Sequence, residues 1–198
     1  MIAVRDLAVD LAGLKGVDLD VEPGQIVGLT GVNGAGKSTL LRCLTGLQPL
    51  DAGWVEVLGQ APLGDPRFWR EVAYAAEEPA WYPGLTVREH LTLTALTHDS
   101  PSDVGCWLDR FGLAGRADAS PLTLSTGQRQ RLLLASVLVR PSRLLLLDEP
   151  ERGLDPEFRT ILAQVLRDHA ASGGAVLLAT HDISLAPIRL TLEGGRLC

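Results

Sequence analysis

The chain has 198 residues, of which 46% are hydrophobic, 21% charged and 5% aromatic, with a formal net charge of −6. This length suits one compact domain, and the apolar fraction is too high for a disordered chain. The acidic balance argues against a basic nucleic-acid-binding surface. No apolar run approaches the roughly 18 residues of a membrane span, and acidic residues interrupt the N-terminus where a signal peptide needs an apolar core. We therefore expect a soluble intracellular domain without a nucleic-acid partner.

Apolar runs of strand length alternate with helical patterns along the chain. This order is typical of an α/β domain with a central, mainly parallel sheet. Strands are predicted at 25–30, 143–148 and 174–180, and helices at 37–47, 128–139 and 156–171. Between the first two strands lies a helical stretch, in which a capping box at Thr86 opens one helix through Leu96 and a second ends near Gly112.

The segment GVNGAGKST follows the first of these strands and matches G-x-x-x-x-G-K-[ST] in full. In such a loop the backbone N–H groups face phosphate oxygens, the lysine reaches the outer phosphates and the serine hydroxyl ligates Mg²⁺. A glycine-rich turn before a helix is the alternative. The lysine is one of only two in the chain. The expected phosphate-binding residues are Gly31, Val32, Asn33, Gly34, Ala35, Gly36, Lys37, Ser38 and Thr39.

The apolar run RLLLLDEP ends in the acidic pair Asp148 and Glu149. A parallel strand beside the phosphate loop would deliver both carboxylates to the edge where a nucleotide binds. There Asp148 suits a Mg²⁺ shell, and Glu149 can polarise a water in line with the γ-phosphorus. Taken alone, a strand that ends in acids is equally consistent with solvated carboxylates.

Five motifs occur in order: GVNGAGKST, LSTGQ, LLLLDEP, GLD and ATHD. Together they make the chain resemble the ATP-binding subunits of ABC transporters over its whole length. The resemblance implies a P-loop NTPase fold with an N-terminal antiparallel β portion and a short helical subdomain. It divides a single domain, 1–198, into a core of 1–76 and 128–198 and a helical subdomain of about 77–127.

The resemblance also implies an ATPase that uses ATP and Mg²⁺ and dimerises head to tail. In that dimer Ser125, Gly127 and Gln128 contact the partner's nucleotide, and Asp155 links the two sites. His181 matches the histidine that senses the γ-phosphate. The implied partners are a second ATP-binding subunit, identical or different, and an integral membrane subunit that holds the chain at the inner face of the cell membrane. His90, His98 and His169 lack such a context and are expected at the surface.

The segment 77–91 resembles the region that meets the membrane subunit, with Trp81 and Tyr82 as candidate anchors. Packing of these aromatic rings beneath their own loop is the alternative. The compact size without an appended domain resembles exporter-type subunits, including those of haem-export-like systems.

Four positions depart from the family's pattern. Leu11 stands near the place of the usual adenine-stacking aromatic residue, which predicts weak or unselective base binding. Glu77 replaces the usual glutamine as a Mg²⁺ ligand, and Thr126 replaces a signature glycine. Glu151 stands where threonine or serine is common and adds an acid near the site.

Two alternatives remain from the sequence. A soluble ABC-type ATPase of DNA repair or translation usually carries coiled-coil, zinc or duplicated modules, which 198 residues do not accommodate. A degenerate nucleotide-binding regulatory module is opposed by intact Lys37, Asp148, Glu149 and His181, although Leu11 and Glu77 favour it.

Overall fold

The computed structural model describes residues 1–62, 65–75 and 81–198. Among the helices in these ranges, none combines the length and apolar character needed to cross a bilayer. The strands are β1 (Ile2–Val9), β2 (Leu14–Val21), β3 (Ile26–Thr30), β4 (Ala52–Val57), β5 (Val72–Ala75), β6 (Leu144–Asp148), β7 (Ala175–Ala179), β8 (Ile188–Glu193) and β9 (Arg196–Leu197). The helices are α1 (Lys37–Leu44), α2 (Pro66–Glu71), α3 (Val87–Thr97), α4 (Val104–Arg110), α5 (Thr126–Leu138) and α6 (Pro156–Ala171).

The helix starts follow the capping chemistry of the sequence. Thr86 and Glu89 form the expected capping box at the start of α3, and Asp155 caps α6 by accepting a hydrogen bond from the Phe158 N–H. At its end α1 is shorter than predicted. The Thr45 hydroxyl donates to the Arg42 carbonyl, and Gly46 then adopts φ +73°, which ends the helix.

Two sheets make up the β structure. An antiparallel sheet has the order β2-β1-β4, and a larger sheet has the order β5-β6-β7-β3-β8-β9. All neighbours in the larger sheet from β5 to β8 are parallel, and β9 adds an antiparallel edge. The expected P-loop α/β fold with an N-terminal antiparallel portion is confirmed.

Strands β3, β5, β6 and β7 of the larger sheet are buried on both faces, which explains their apolar sequences. In β6, Leu145 and Leu147 face one core cluster together with α3, α4, α5 and α6. The alternate residues Leu144 and Leu146 face a second cluster that contains α1 and the antiparallel sheet. The parallel sheet is therefore the middle layer, and its carboxyl edge is the place where loops from both sides meet.

Two glycines of the antiparallel sheet, Gly53 within β4 and Gly59 in the turn that follows it, offer a test of backbone strain. Gly53 and Gly59 have nearly equal positive φ angles, +82° and +80°. A Cβ at Gly53 would collide with the Asp6 and Arg5 carbonyl oxygens, whereas one at Gly59 meets nothing within 4 Å.

We predict that Gly59→Ala costs about 1–2 kcal/mol of unfolding free energy, the price of a left-handed alanine. Gly53→Ala should cost about 2–4 kcal/mol because backbone must also move. Urea denaturation of both variants measures the difference, and equal losses would show that the backbone of Arg5 and Asp6 moves without a cost in stability.

Candidate functional site

Three loops meet at the carboxyl edge of the parallel sheet. They follow β3, β6 and β7 and carry the phosphate loop, the acidic pair and His181. The acidic strand β6 is parallel to β3 and brings its carboxylates to this edge as expected, and β7 pairs with both strands and lies between them. This order places His181 between the lysine and the two carboxylates along the sheet edge.

Two glycines of the phosphate loop lie where a side chain would not fit. Gly31 has φ +141°, and a Cβ there would lie 2.5 Å from the Leu192 carbonyl oxygen. Gly36, immediately before α1, has φ +102°, and its Cβ would lie 2.7 Å from a Leu14 methyl group. Both positions therefore exclude side chains. Lys37 is buried, and its Nζ donates to the carbonyl oxygens of Gly31 at 2.8 Å and Val32 at 3.1 Å.

Two adjoining cavities border the loop. One of about 230 Å³ is lined by Asn33, Gly34, Gly36, Lys37, Ser38 and Thr39, together with Ala12 and Glu149. The other, of about 470 Å³, is lined by Gly31, Val32, Gly34 and Ala35 and by the loop after β1 and the β8–β9 hairpin. All nine predicted phosphate-loop residues thus line one cavity or the other.

Asp148 lies at the end of β6 and is half-buried. Burial raises the pKa of its carboxyl, while a hydrogen bond from the Ser38 side chain opposes that rise. The two predicted Mg²⁺ ligands Ser38 and Asp148 are therefore in direct contact. The third, Glu77, lies outside the described residues.

Glu149 adopts φ +47°, a left-handed conformation that is costly for a residue with a Cβ. Its N–H donates to the Ala179 carbonyl at 2.9 Å, which ties the turn after β6 to the end of β7. Glu149 Oε1 lies 3.6 Å from His181 Nε2. The two side chains also line a cavity of about 420 Å³, so the predicted catalytic pair is brought together.

Glu151 is the residue whose role the sequence did not reveal. It was expected only as an additional acid near the site, yet it is 6% exposed. Its Oε1 accepts hydrogen bonds from the Thr180 hydroxyl at 2.7 Å and from the His181 N–H at 2.8 Å. A buried glutamate between two turns leaves no periodicity signal in a sequence.

The signature segment begins α5. Ser125 and Gln128 form a capping box, in which each side chain accepts from the other's backbone N–H at 3.2 and 3.0 Å. Packing also favours glycine at position 127, because a Cβ there would lie 2.8 Å from the Gly153 carbonyl oxygen. The start of α5 is thus pressed against the loop that precedes α6.

Side chains reinforce that contact. Gln130 donates to the Pro150 carbonyl at 3.1 Å, and Arg131 forms an ion pair with Asp155. The Arg131 guanidinium also lies over the Phe158 ring, 4.4 Å from its centroid. Asp155 therefore caps α6 and joins α5 within one chain.

The remaining predicted positions lie on the periphery. Leu11 is fully exposed in the loop after β1, close to the second cavity's lining. Tyr82 is exposed and stacks on His90, whereas Trp81 packs against the core. The expected surface location of His90 is wrong: it is buried, and its ring accepts from the Tyr82 N–H and bonds the Thr86 carbonyl.

Comparison with known proteins agrees with this geometry. The family model described as ABC transporter matches residues 14–152. The aliphatic sulfonates import ATP-binding protein SsuB 3 of Nocardia farcinica is 40% identical, over 93% of this chain and 72% of the relative. The chain belongs to the ATP-binding subunits of ABC transporters.

Two further comparisons extend the match. The cytochrome c biogenesis ATP-binding export protein CcmA of Paracoccus denitrificans is 38% identical, over 93% of this chain and 85% of the relative. A solved ATP-binding subunit of an ABC transporter superposes with a TM-score of 0.89 at 29% identity, covering all of this chain and 88% of the other.

As a member of this family the ABC subunit is an ATPase that drives transport. It binds ATP, and subunits of this kind dimerise and act with membrane subunits. The sheet edge described above carries the phosphate loop, the acidic pair and His181.

The raised pKa of Asp148 has a consequence for stability. A carboxyl whose pKa is higher in the folded state binds a proton more tightly there than in the unfolded chain. Its contribution to stability therefore falls as pH rises from the unfolded value of about 3.9 through the folded value. Above the folded-state pKa, the ionised Asp148 is therefore less favourable to folding than the protonated carboxyl.

We predict that Asp148→Asn raises the unfolding free energy at pH 7.5 by up to about 1 kcal/mol, while removing Mg²⁺-dependent stabilisation by nucleotide. The matched control is Asp182→Asn. Hydrogen bonds from Ser184 lower the pKa of Asp182, so that its loss should destabilise. Urea denaturation with and without Mg²⁺·ADP measures the unfolding free energy of both variants. A change in the same direction for the two variants without ligand would contradict the opposite pKa shifts of Asp148 and Asp182.

The exposed Leu11 predicts poor discrimination between bases. Leu11→Tyr should supply a stacking surface and tighten ATP binding about tenfold, since base–aromatic stacking is worth about 1–3 kcal/mol. Leu96→Tyr, at an exposed position on α3, is the control. Calorimetric titration with ATP and GTP measures the effect, and a wild-type preference for adenine as strong as that of Leu11→Tyr would refute it.

Proposed function

We propose that ATP binds with its phosphates in the phosphate-loop cavity and that its γ-phosphate reaches the space between Glu149 and His181. The observation that carries this proposal is the position of Glu149. It lines both the cavity over the phosphate loop and the adjoining cavity at His181. A γ-phosphate at that junction has a carboxylate on one side and the lysine on the other.

Lys37 and α1 supply the positive end of the site. Binding would exchange the carbonyl partners of Lys37 Nζ, Gly31 and Val32, for phosphate oxygens. The N-terminus of α1 faces the same cavity, and helix N-termini favour anions.

The oxygens of Ser38 and Asp148 fit Mg²⁺, which proteins commonly hold through one or two carboxylates together with substrate phosphates. Within the described ranges no cluster of three or more His, Cys, Asp or Glu side chains could hold a metal alone, so the nucleotide would complete the shell. Bound there, Mg²⁺ would neutralise charge on the outer phosphates. Glu77 remains a proposed additional ligand.

Glu149 is the proposed general base. Its carboxylate would accept a proton from the attacking water, and His181, 3.6 Å away, would contact the γ-phosphate and orient that carboxylate. The left-handed backbone at Glu149 supports this role, because such strain persists where the surrounding structure holds a side chain in place for chemistry.

The second half of the site would come from another copy or a related subunit. The lining of the phosphate-loop cavity contains no residue of the signature segment among those described. Ser125, Gly127 and Gln128 lie on a rigid helix start on the same chain but serve its own cap and packing. A head-to-tail homodimer or heterodimer would bring this helix N-terminus to the partner's γ-phosphate.

A membrane subunit is the proposed partner on the remaining face, placing the chain at the inner side of the cell membrane. The exposed Tyr82 ring, supported by His90, is a candidate anchor for that contact. An exporter-like role stays a prediction, because the relatives include proteins named for import and for export.

Glu149→Gln tests the proposed function. We expect this variant to bind ATP with Mg²⁺, to lose at least about 100-fold in hydrolysis rate, and to accumulate as a dimer on size-exclusion chromatography with light scattering. The dimer should disappear when Ser125→Arg is added, since a long cation would block the signature face.

Glu157→Gln, the same exchange at an exposed position on α6, is the control and should behave as wild type. A Glu149→Gln chain that remains monomeric with saturating ATP, or that hydrolyses ATP at the wild-type rate, would contradict the proposal.

A further inference from the structure

The buried glutamate between the acidic pair and the histidine loop has no role in the function proposed so far. Glu151 is 6% exposed, and a buried carboxylate is expensive unless its hydrogen bonds repay the loss of water. Only Oε1 has hydrogen-bond partners, because Oε2 is buried without one among the described residues. The burial of this side chain is therefore unfavourable at Oε2, and its favourable interactions are the hydrogen bonds of Oε1.

Three donors converge on Oε1. They are the Thr180 hydroxyl at 2.7 Å, the His181 N–H at 2.8 Å and the Asp182 N–H at 3.3 Å. Successive backbone N–H groups that point at one oxygen form an anion-binding nest. Here the anion is part of the protein itself, and the nest is the loop that carries His181.

The same turn holds both glutamates. Glu149 and Glu151 are separated by Pro150, and the turn is closed by hydrogen bonds from the Arg152 N–H to the Glu149 carbonyl and from the Leu154 N–H to the Glu151 carbonyl. One carboxylate of this turn lies beside the His181 ring at 3.6 Å, and the other binds the His181 backbone. Both line the cavity at His181.

We propose that Glu151 is a positioning residue for the ATPase reaction: it fixes the backbone of residues 180–182 and thereby the distance between His181 and Glu149. The inference rests on the proposed function of His181 and Glu149. In this proposal Glu151 acts through the histidine and not on the reacting atoms themselves.

The rest of the loop explains why this anchor matters. The Thr180 hydroxyl accepts from the Asp182 N–H at 2.9 Å, and Asp182 accepts from Ser184 and faces Arg159 at 3.5 Å. These contacts hold the residues around His181. The bond to Glu151 Oε1 is the one that joins the His181 N–H to the turn of Glu149.

The first experiment measures position without catalysis. Histidine ring signals are recorded by NMR on the full chain at about pH 8.5, where an ordinary histidine is neutral, and His181 is assigned by its absence in His181→Ala. We expect Glu151→Ala to shift or split the His181 signals while those of His98 and His169 stay unchanged. Glu151→Gln keeps an acceptor oxygen and should leave them close to wild type.

Glu151→Thr provides a second test if the alanine variant fails to fold, because its shorter side chain cannot reach both N–H groups. An unchanged His181 spectrum in a folded Glu151→Ala or Glu151→Thr chain overturns the proposal. This result does not depend on whether the chain hydrolyses ATP.

The second experiment tests the route through His181. Glu151→Ala should lower kcat about 10- to 100-fold with little change in KM for ATP, the size expected when a reacting group is displaced by a fraction of an ångström to 1 Å. In a His181→Ala background the same substitution should cost nothing further. Equal losses in both backgrounds would show that Glu151 acts independently of the histidine.

A wild-type chain without ATPase activity, combined with a disturbed His181 spectrum in Glu151→Ala, would contradict the proposed function and leave the anchor standing. The exposed Glu157→Ala serves as the control for loss of one negative charge in both experiments.

Discussion

The double pairing of β7 is the constraint on which the site depends. Val176 and its neighbours pair with β3 on one side and with β6 on the other, in parallel register. Three strands that advance together must end together, so the loops that follow them are brought to one edge. Hydrogen bonds extend this order beyond the strands, from Thr180 to Leu29 and from Glu149 to Ala179. The positions of Lys37, Glu149 and His181 follow from that framework.

A second constraint links the start of α5 to the turn that carries Glu149 within one chain. Gly127 approaches the Gly153 backbone so closely that a methyl group would not fit, and Arg131 binds Asp155. The Phe111–Phe158 contact, with ring centroids 5.2 Å apart, extends the link to the residue that ends α4. A partner's nucleotide that pulls on the start of α5 would therefore act directly on the turn that carries Glu149. In the proposed dimer, the residues assigned to contact one ATP and those assigned to hydrolyse the other would belong to one packed unit.

The sequence predicted features that depend on local chemistry. The phosphate loop, the capping box at Thr86 and the apolar strands each leave a pattern within a few residues, and the structure contains them. Contacts between distant segments left no such pattern. The place of β7 between β3 and β6, the burial of His90 and the bonds of Glu151 to a loop 29 to 31 positions away arise from tertiary packing. Gly127 was read as a nucleotide contact, and only the structure revealed its proximity to Gly153.

In the proposed binding mode, Lys37 would exchange its hydrogen bonds to carbonyl oxygens of its own loop for bonds to phosphate oxygens. Without ligand the ammonium is already desolvated and held by two carbonyl oxygens, so little rearrangement of water is needed when phosphate takes their place. The released carbonyls of Gly31 and Val32 then need new donors or solvent. The loss of these two hydrogen bonds would consequently offset part of the favourable free energy between lysine and phosphate. In the proposed binding mode, the net affinity gained from this lysine would therefore be smaller than its charge suggests.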